Sequence, residues 1–233
     1  MNEYILKVLV GSRAHGLHTD QSDYDYRGVF VQSTEEILAL NGEIKTTDWV
    51  EGRDVNEAGR KQDDTSWEIG HFLKLAVRCN PTILETFAAP IEESTDEGLT
   101  LRDLFPYIWN PRDVRDAFIN YSLNQRKKLL EEKDKRPLKY AVTYLRTLLQ
   151  AERLLIHKVL MMDVTKHEEY QTLLMIKNGM LTPGDIINKC LVWQRKVEAA
   201  YTICKHIPDH DKVNNFLLKI RMNHFTYKEE YDA

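Results

Sequence analysis

The pattern of hydrophobic positions divides the chain into two unlike parts. In the first part, short or alternating apolar runs predict strands over Ile5–Val10, about Ser22–Val31, Ile44–Val50 and a segment leading to Asp63. After about residue 112, apolar residues recur every three to four positions, which predicts helices almost throughout. We therefore expect an α+β fold, in which an N-terminal domain with a small mixed sheet (1–112) is followed by an α-helical domain (113–233).

The boundary between the two parts is predicted in a segment rich in turn-forming residues. Residues 90–112 contain three of the seven prolines and an acidic loop, Glu92–Gly98. Because Pro and Gly interrupt regular elements, this segment is the best candidate for a domain junction.

Two helix starts can be recognised from capping residues. Thr65-Ser-Trp-Glu68 has the spacing of a capping box, in which Thr65 and Glu68 bond free backbone N–H groups, and it predicts a helix to about Arg78. Thr182-Pro-Gly-Asp185 predicts another helix start near the end of the chain, with Thr182 as the cap.

The second predicted strand opens with two carboxylates, Asp23 and Asp25. Side chains two apart on a strand share a face, so both should project with Arg27 from one side, and Tyr24 and Tyr26 from the other. Two carboxylates projected together repel each other unless a divalent cation neutralises them. The pattern therefore indicates a metal site.

The turn after the first strand offers the other half of a site. Gly11 allows a tight turn and a close approach of the backbone to a ligand, and Ser12 adds a hydroxyl donor. If a helix follows, its first N–H groups form an anion site. Phosphates at this turn and metals at Asp23 and Asp25 together indicate metal-assisted phosphoryl or nucleotidyl transfer.

These residues carry a resemblance. Gly11-Ser12, a gap of ten residues and then Asp23-Tyr-Asp25 resembles the nucleotidyltransferase signature of the DNA polymerase β superfamily. The longer string GSRAHGLHTDQSDYDYRGV resembles a predicted bacterial and phage branch, some of whose members are associated with RNA repair. The resemblance implies a polymerase-β-like catalytic domain, phosphate contacts from Gly11 and Ser12, and two Mg²⁺ ions (or Mn²⁺) bound by Asp23 and Asp25.

The same resemblance implies a third carboxylate on a neighbouring strand. Asp63 and Asp64 are the candidates, and the related pattern, an aspartate nine residues before a helical Phe (Phe72), favours Asp63. His71 stands where a basic residue is usual, so the register stays open. The alternative is that the acidic pair merely leads into a helix. Asn80-Pro-Thr-Ile-Leu-Glu85 also resembles the family, and we interpret it as structural.

A narrow polar stripe marks the helix predicted from Pro137 to about Met162. It contains Lys139, Thr143, Arg146, Gln150, Arg153 and His157, on an otherwise apolar circumference. Charged side chains on a buried helix are stable only where they face a water-filled cleft or pair with anions. We therefore expect Lys139 and Arg146 to bind the nucleotide or a polynucleotide. Arg13, just beyond the Gly-Ser turn, is expected either to assist at the phosphates or to be exposed. The alternative is pairing with carboxylates of the first domain.

Composition indicates a cellular compartment but does not identify the acceptor of the transferred nucleotide. The net charge of −4 excludes a global basic field for nucleic acid, although a local basic run spans 126–139. An odd number of cysteines and the lack of an apolar leader or membrane-length segment predict a cytoplasmic protein without disulfides. His15-x-x-His18 lacks a further Cys or His nearby, so zinc is not predicted.

The sequence thus predicts an NTP-dependent nucleotidyltransferase that uses ATP or another NTP and releases pyrophosphate. The resemblance favours an RNA end or a tRNA as acceptor. A protein or small-molecule acceptor is an alternative, as is a non-catalytic nucleotide-binding or antitoxin-like module.

Overall fold

Five strands form one mixed sheet. The computed structural model describes residues 3–55, 61–132 and 135–225, and gives the backbone alone for 48–55 and 61–64. The strands are β1 (Glu3–Val10), β2 (Tyr24–Val31), β3 (Thr47–Val55), β4 (Lys61–Glu68) and β5 (Ile91–Ser94). Their order is β3-β4-β2-β1-β5, and β2 pairs with β4 in parallel whereas the other pairs are antiparallel.

Helices make up most of the remaining described chain. The short ones are α1 (Gly11–Ala14), α2 (Thr34–Leu38), α3 (Ile69–Ala76), α4 (Pro81–Ala88), α5 (Asp96–Asp103), α6 (Phe105–Ile108) and α9 (Tyr170–Lys177). The longer ones are α7 (Pro111–Leu130), α8 (Pro137–His157), α10 (Pro183–Ile203) and α11 (His210–Asn223). The α+β prediction is therefore confirmed. None of the described helices is long and apolar enough to cross a membrane.

One connected core joins the sheet to the helices. Buried side chains from the first part, such as Phe72 and Trp109, belong to the same cluster as Phe118 and Tyr144 from the helical part. α8 packs between α7 and α10, so its long apolar surface is covered. The domain boundary at 112 stays a prediction.

Three local predictions were wrong. The acidic loop predicted at Glu92–Gly98 is β5 followed by the start of α5, and all four residues of β5 are exposed at the sheet edge, so no apolar pattern marks it. The strand predicted over Ile44–Val50 runs instead from Thr47 to Val55, as β3. α8 ends at His157 rather than Met162, because Lys158 adopts a left-handed conformation.

The predicted capping box at Thr65–Glu68 was also wrong, because these residues form the end of β4. Glu68 is itself the N-cap of α3, and its Oε2 accepts from the backbone N–H groups of Gly70 (2.7 Å) and His71 (3.4 Å). The second predicted start is confirmed, since Thr182 caps α10 in a full capping box.

The last described helix, α11, contacts the end of β4 through an ion pair with Glu68. This carboxylate is fully buried, and Arg221 Nη2 from α11 lies 2.6 Å from its Oε1. On the same helix the Arg221 carbonyl accepts from the Thr34 hydroxyl at 2.6 Å. A buried carboxylate is stable only when it is paired, so α11 supports the junction of β4 and α3.

We predict that Arg221→Gln lowers the free energy of unfolding by about 3 kcal/mol, because it leaves the Glu68 carboxylate buried without its cation. Urea denaturation measures this. The matched control is Lys219→Gln on the exposed face of the same helix, which should change the value by less than about 0.5 kcal/mol. Equal effects of the two substitutions would contradict the prediction.

Candidate active site

The turn after β1 is tight and is followed by a helix of only four residues, α1. Gly11 has a φ of +68°, a conformation that favours glycine. The carbonyls of Gly11 and Ser12 accept from the N–H groups of His15 (3.2 Å) and Leu17 (2.9 Å). Because the macrodipole grows with helix length, such a short helix supplies little of the predicted anion attraction. The turn itself offers the Ser12 hydroxyl and nearby backbone.

The turn touches the acidic strand directly. Val10 and Asp25 are register partners of the antiparallel β1–β2 pair. A Cβ built on Gly11 would lie 2.1 Å from Asp25 Oδ2, well inside contact distance. Only a glycine therefore leaves room for this carboxylate, and the turn predicted to bind phosphate lies against the strand predicted to bind metal.

The three predicted metal ligands occupy neighbouring strand positions. Asp23 is exposed just before β2, and Asp25 is partly buried within it. In the parallel β2–β4 ladder, Asp63 is the register partner of Asp25, whereas Asp64 is opposite Tyr26. The side chains of Asp63 and Asp64 lie outside the described residues. The backbone register thus favours Asp63 over Asp64 as the third carboxylate, in agreement with the family pattern.

The other face of β2 shows the alternation that the sequence predicts. The rings of Tyr24 and Tyr26 stack with centroids 6.5 Å apart. Arg13 lies over the Tyr24 ring at 3.9 Å, and its Nη2 donates to the Ser22 carbonyl at 2.9 Å. Arg13, predicted to assist at the phosphates, therefore braces the segment that precedes Asp23.

The two predicted cations of α8 lie in different surroundings. Lys139 is exposed on the first turn, whereas Arg146, seven residues on and about 10 Å along the axis, is buried. Arg146 Nη1 donates to Glu85 Oε1 on α4 and to Gln150 Oε1 at 3.1 Å. This contact corresponds to the alternative reading of the stripe, pairing with a carboxylate of the first part.

Arg27 has the same partner as Arg146. Its Nη1 lies 3.1 Å from Glu85 Oε2 and donates to the Thr82 carbonyl at 2.9 Å. The described charged partner of Arg27 is thus a glutamate on α4. Two arginines and His15, whose Nε2 is 3.7 Å away, hold the pKa of the Glu85 carboxyl well below its usual range despite burial.

Sequence reasoning did not assign His15 a role, yet it links the turn to the helical part. Its Nδ1 is 2.9 Å from the Met162 carbonyl, and because a carbonyl only accepts, Nδ1 carries the proton. Its own carbonyl accepts from Val164 N–H at 3.2 Å. Burial and the nearby Arg146 lower the pKa of His15 to about 4, so the ring is neutral at neutral pH.

Among the side chains that the structure describes, no group of three or more His, Cys, Asp or Glu is placed to hold a metal ion. The predicted set includes Asp63, whose side chain is outside that description. Asp23 and Asp25 supply carboxylate oxygens, which Mg²⁺ and Mn²⁺ prefer, so the described residues fit such a site.

We predict that His15 makes stability depend on pH. In the unfolded chain its pKa is near 6.5, while the fold holds it at about 4, so acid stabilises the unfolded state. Between pH 8 and 5 this should reduce the free energy of unfolding by about 2 kcal/mol. Urea titrations of wild type and His15→Asn measure the difference.

In His15→Asn this pH-dependent component should be absent, since the amide keeps a donor without titrating. His18→Asn, an exposed neighbour, is the control and should retain the wild-type slope. An unchanged slope in His15→Asn would contradict the assignment.

No curated protein matches the chain. One solved structure, a nucleotidyltransferase-like protein from Exiguobacterium sibiricum 255-15, aligns with 95% of this chain and 74% of its own. Its identity is 10% and its TM-score 0.31, a likeness too weak to carry an argument.

The family match covers more of the chain than the segment Gly11–Asp25, which carries the resemblance described above. The model of the RNA repair pathway DNA polymerase beta family matches residues 3–216, which include the Gly-Ser turn, Asp23, Asp25 and most of the helical part. The match covers far more than half of the chain and confirms the predicted superfamily. The chain therefore belongs to the RNA repair pathway DNA polymerase beta family.

Proposed function

We propose that this protein is a metal-dependent nucleotidyltransferase, which transfers a nucleoside monophosphate from an NTP to a hydroxyl and releases pyrophosphate. The observation that carries the proposal is the contact between Asp25 and Gly11, which joins an acidic strand to a turn suited to phosphate. A structural turn has no need of a carboxylate packed against its glycine. A two-metal phosphoryl-transfer site needs both parts within reach of one nucleotide.

In this proposal Asp23, Asp25 and Asp63 hold the divalent cations, Mg²⁺ or Mn²⁺. Bound there, the cations would lower the pKa of the acceptor hydroxyl and neutralise charge on the leaving pyrophosphate. The register partnership of Asp25 with Asp63 supports the choice of Asp63 over Asp64.

Gly11 and Ser12 are proposed to contact the phosphates through the backbone and the hydroxyl. Lys139 is exposed and supplies a cation from the start of α8. The guanidinium groups of Arg13 and Arg146 already have protein partners. We propose that these two arginines support nucleotide binding by holding the turn and α8 in place.

An RNA end is the proposed acceptor. It is supported by the RNA repair pathway in the family description and by the basic run over 126–139. To identify the acceptor, labelled NTPs are incubated with separate RNA, protein and metabolite pools, and the products are weighed by mass spectrometry. Label in protein or in a metabolite, with none in RNA, would overturn the proposed acceptor.

We predict that Asp23→Asn and Asp25→Asn each reduce Mg²⁺-dependent pyrophosphate release by at least about a thousandfold, since each removes a ligand charge. Release is measured with each of the four NTPs and mixed RNA. Asp20→Asn, in the same exposed segment, is the control and should keep activity. Turnover that survives either ligand substitution in a folded variant would remove the metal assignment.

Gly11→Ala tests the contact between the turn and the strand. The added methyl would collide with Asp25 Oδ2, so we expect turnover to fall about a hundredfold or more. Gly179→Ala is a matched control, because Gly179 also has a positive φ (+69°) but its Cβ would meet only Leu138, at 3.7 Å. Gly179→Ala should lose about 1 kcal/mol of stability and keep activity, whereas Gly11→Ala should lose at least as much stability and also lose activity.

A further inference from the structure

Glu85 occupies an unusual place for a charged residue. It lies on α4, only 5% of its surface is exposed, and its helix neighbours Ile83, Leu84 and Phe87 are core residues. An ionised carboxylate in such surroundings is stable only with several charged or hydrogen-bonding partners. Its partners therefore indicate what the residue is for.

The two carboxylate oxygens of Glu85 face different parts of the molecule. Oε1 accepts from Arg146 Nη1 and from Gln150 Nε2 (3.2 Å), both on α8. Oε2 faces Arg27 Nη1 (3.1 Å) on β2, which also donates to the Thr82 carbonyl of α4. A single side chain thus connects the catalytic strand to the central helix.

The exit of the Gly-Ser turn belongs to the same cluster. His15 Nε2 lies 3.7 Å from Glu85 Oε1, and its Nδ1 is bonded to the Met162 carbonyl. Arg27 is two residues from Asp25, and the two share a face of β2. Glu85 is therefore joined to the Asp25 strand by its ion pair with Arg27. The neutral His15 ring, at the exit of the turn, lies beside Glu85 without a hydrogen bond, because its Nε2 carries no proton.

The balance of charge within the cluster also indicates that Glu85 affects the proposed site. With His15 neutral, the described side chains of the cluster comprise two guanidinium groups and one carboxylate. Removal of the Glu85 charge would deprive Arg146 and Arg27 of this counter-charge, and Arg27 is only two residues from Asp25 on β2. Such cations would oppose a divalent cation at that carboxylate and would also repel each other.

We propose that Glu85 is a positioning residue, which holds the Asp25 strand against α8 in one geometry through Arg27 and Arg146. It does not touch the nucleotide and acts on the chemical step through these neighbours. This inference rests on the proposed nucleotidyl transfer.

The test compares Glu85→Gln and Glu85→Asp with wild type, by pyrophosphate release at a temperature where all are folded. Glu85→Gln keeps the shape and removes the charge, whereas Glu85→Asp keeps the charge but cannot reach both arginines. Because small displacements of catalytic groups are costly, we expect each to lower kcat about a hundredfold and to change the KM for NTP less than about threefold.

Glu68→Gln is the matched control, because it makes the same chemical change in another buried glutamate paired with an arginine of the helical part. It should lower the melting temperature as Glu85→Gln does but leave kcat within about twofold of wild type. If Glu85→Gln keeps the wild-type kcat, or if both glutamines lower kcat equally, the role of Glu85 is only structural. If Glu85→Asp has the wild-type kcat, the charge of residue 85 is sufficient and the positioning role is wrong.

Titration with Mn²⁺, followed by electron paramagnetic resonance, separates this proposal from the proposed function. If wild type turns over no NTP, the proposed function is wrong. The role of Glu85 is then tested by the affinity for Mn²⁺ alone. Glu85→Gln should then weaken Mn²⁺ binding about tenfold, while Glu68→Gln should not. Equal affinities of the three proteins, or no Mn²⁺ binding by wild type, would overturn the proposal.

Discussion

A carboxylate removed from water requires a cation beside it, and in this protein that requirement connects the sheet to the helices. Glu85 on α4 meets Arg146 from α8, and Glu68 at the end of β4 meets Arg221 from α11. Apolar packing between sheet and helices gives no comparable directionality, because it tolerates small shifts. The two buried pairs therefore add directional contacts between the helical part and the first part of the chain.

The main elements could be predicted because their patterns are local. β1, β2, α7 and α8 each have an apolar periodicity that is complete within the segment. β5 has no apolar periodicity, because it is an exposed edge strand that is held in the sheet by pairing with β1. The same capping signature was correct at Thr182 and wrong at Thr65, where pairing with β2 and β3 extends the strand through Glu68. Tertiary pairing thus overrode local propensity.

The candidate site was predictable in part, for a similar reason. The contact between the turn and Asp25 follows from an antiparallel pair of adjacent strands, so spacing along the sequence implies it. The choice between Asp63 and Asp64 depends on the register of a parallel ladder, which one sequence does not reveal. The polar stripe on α8 indicated that something polar faces Arg146. Its partner, Glu85, was interpreted as structural because nothing in a single helix shows that two distant arginines and a histidine converge on it.

The position of α11 has a consequence for how the protein is made. Synthesis proceeds from the N-terminus, so β4 and α3 exist long before Arg221 has been added to the chain. Until then the Glu68 carboxylate has no guanidinium to accompany it into the interior, and the junction of β4 with α3 gains little by closing. Contacts between such distant segments form late in folding. A nascent chain should therefore close the junction of β4 with α3 only after α11 has been synthesised.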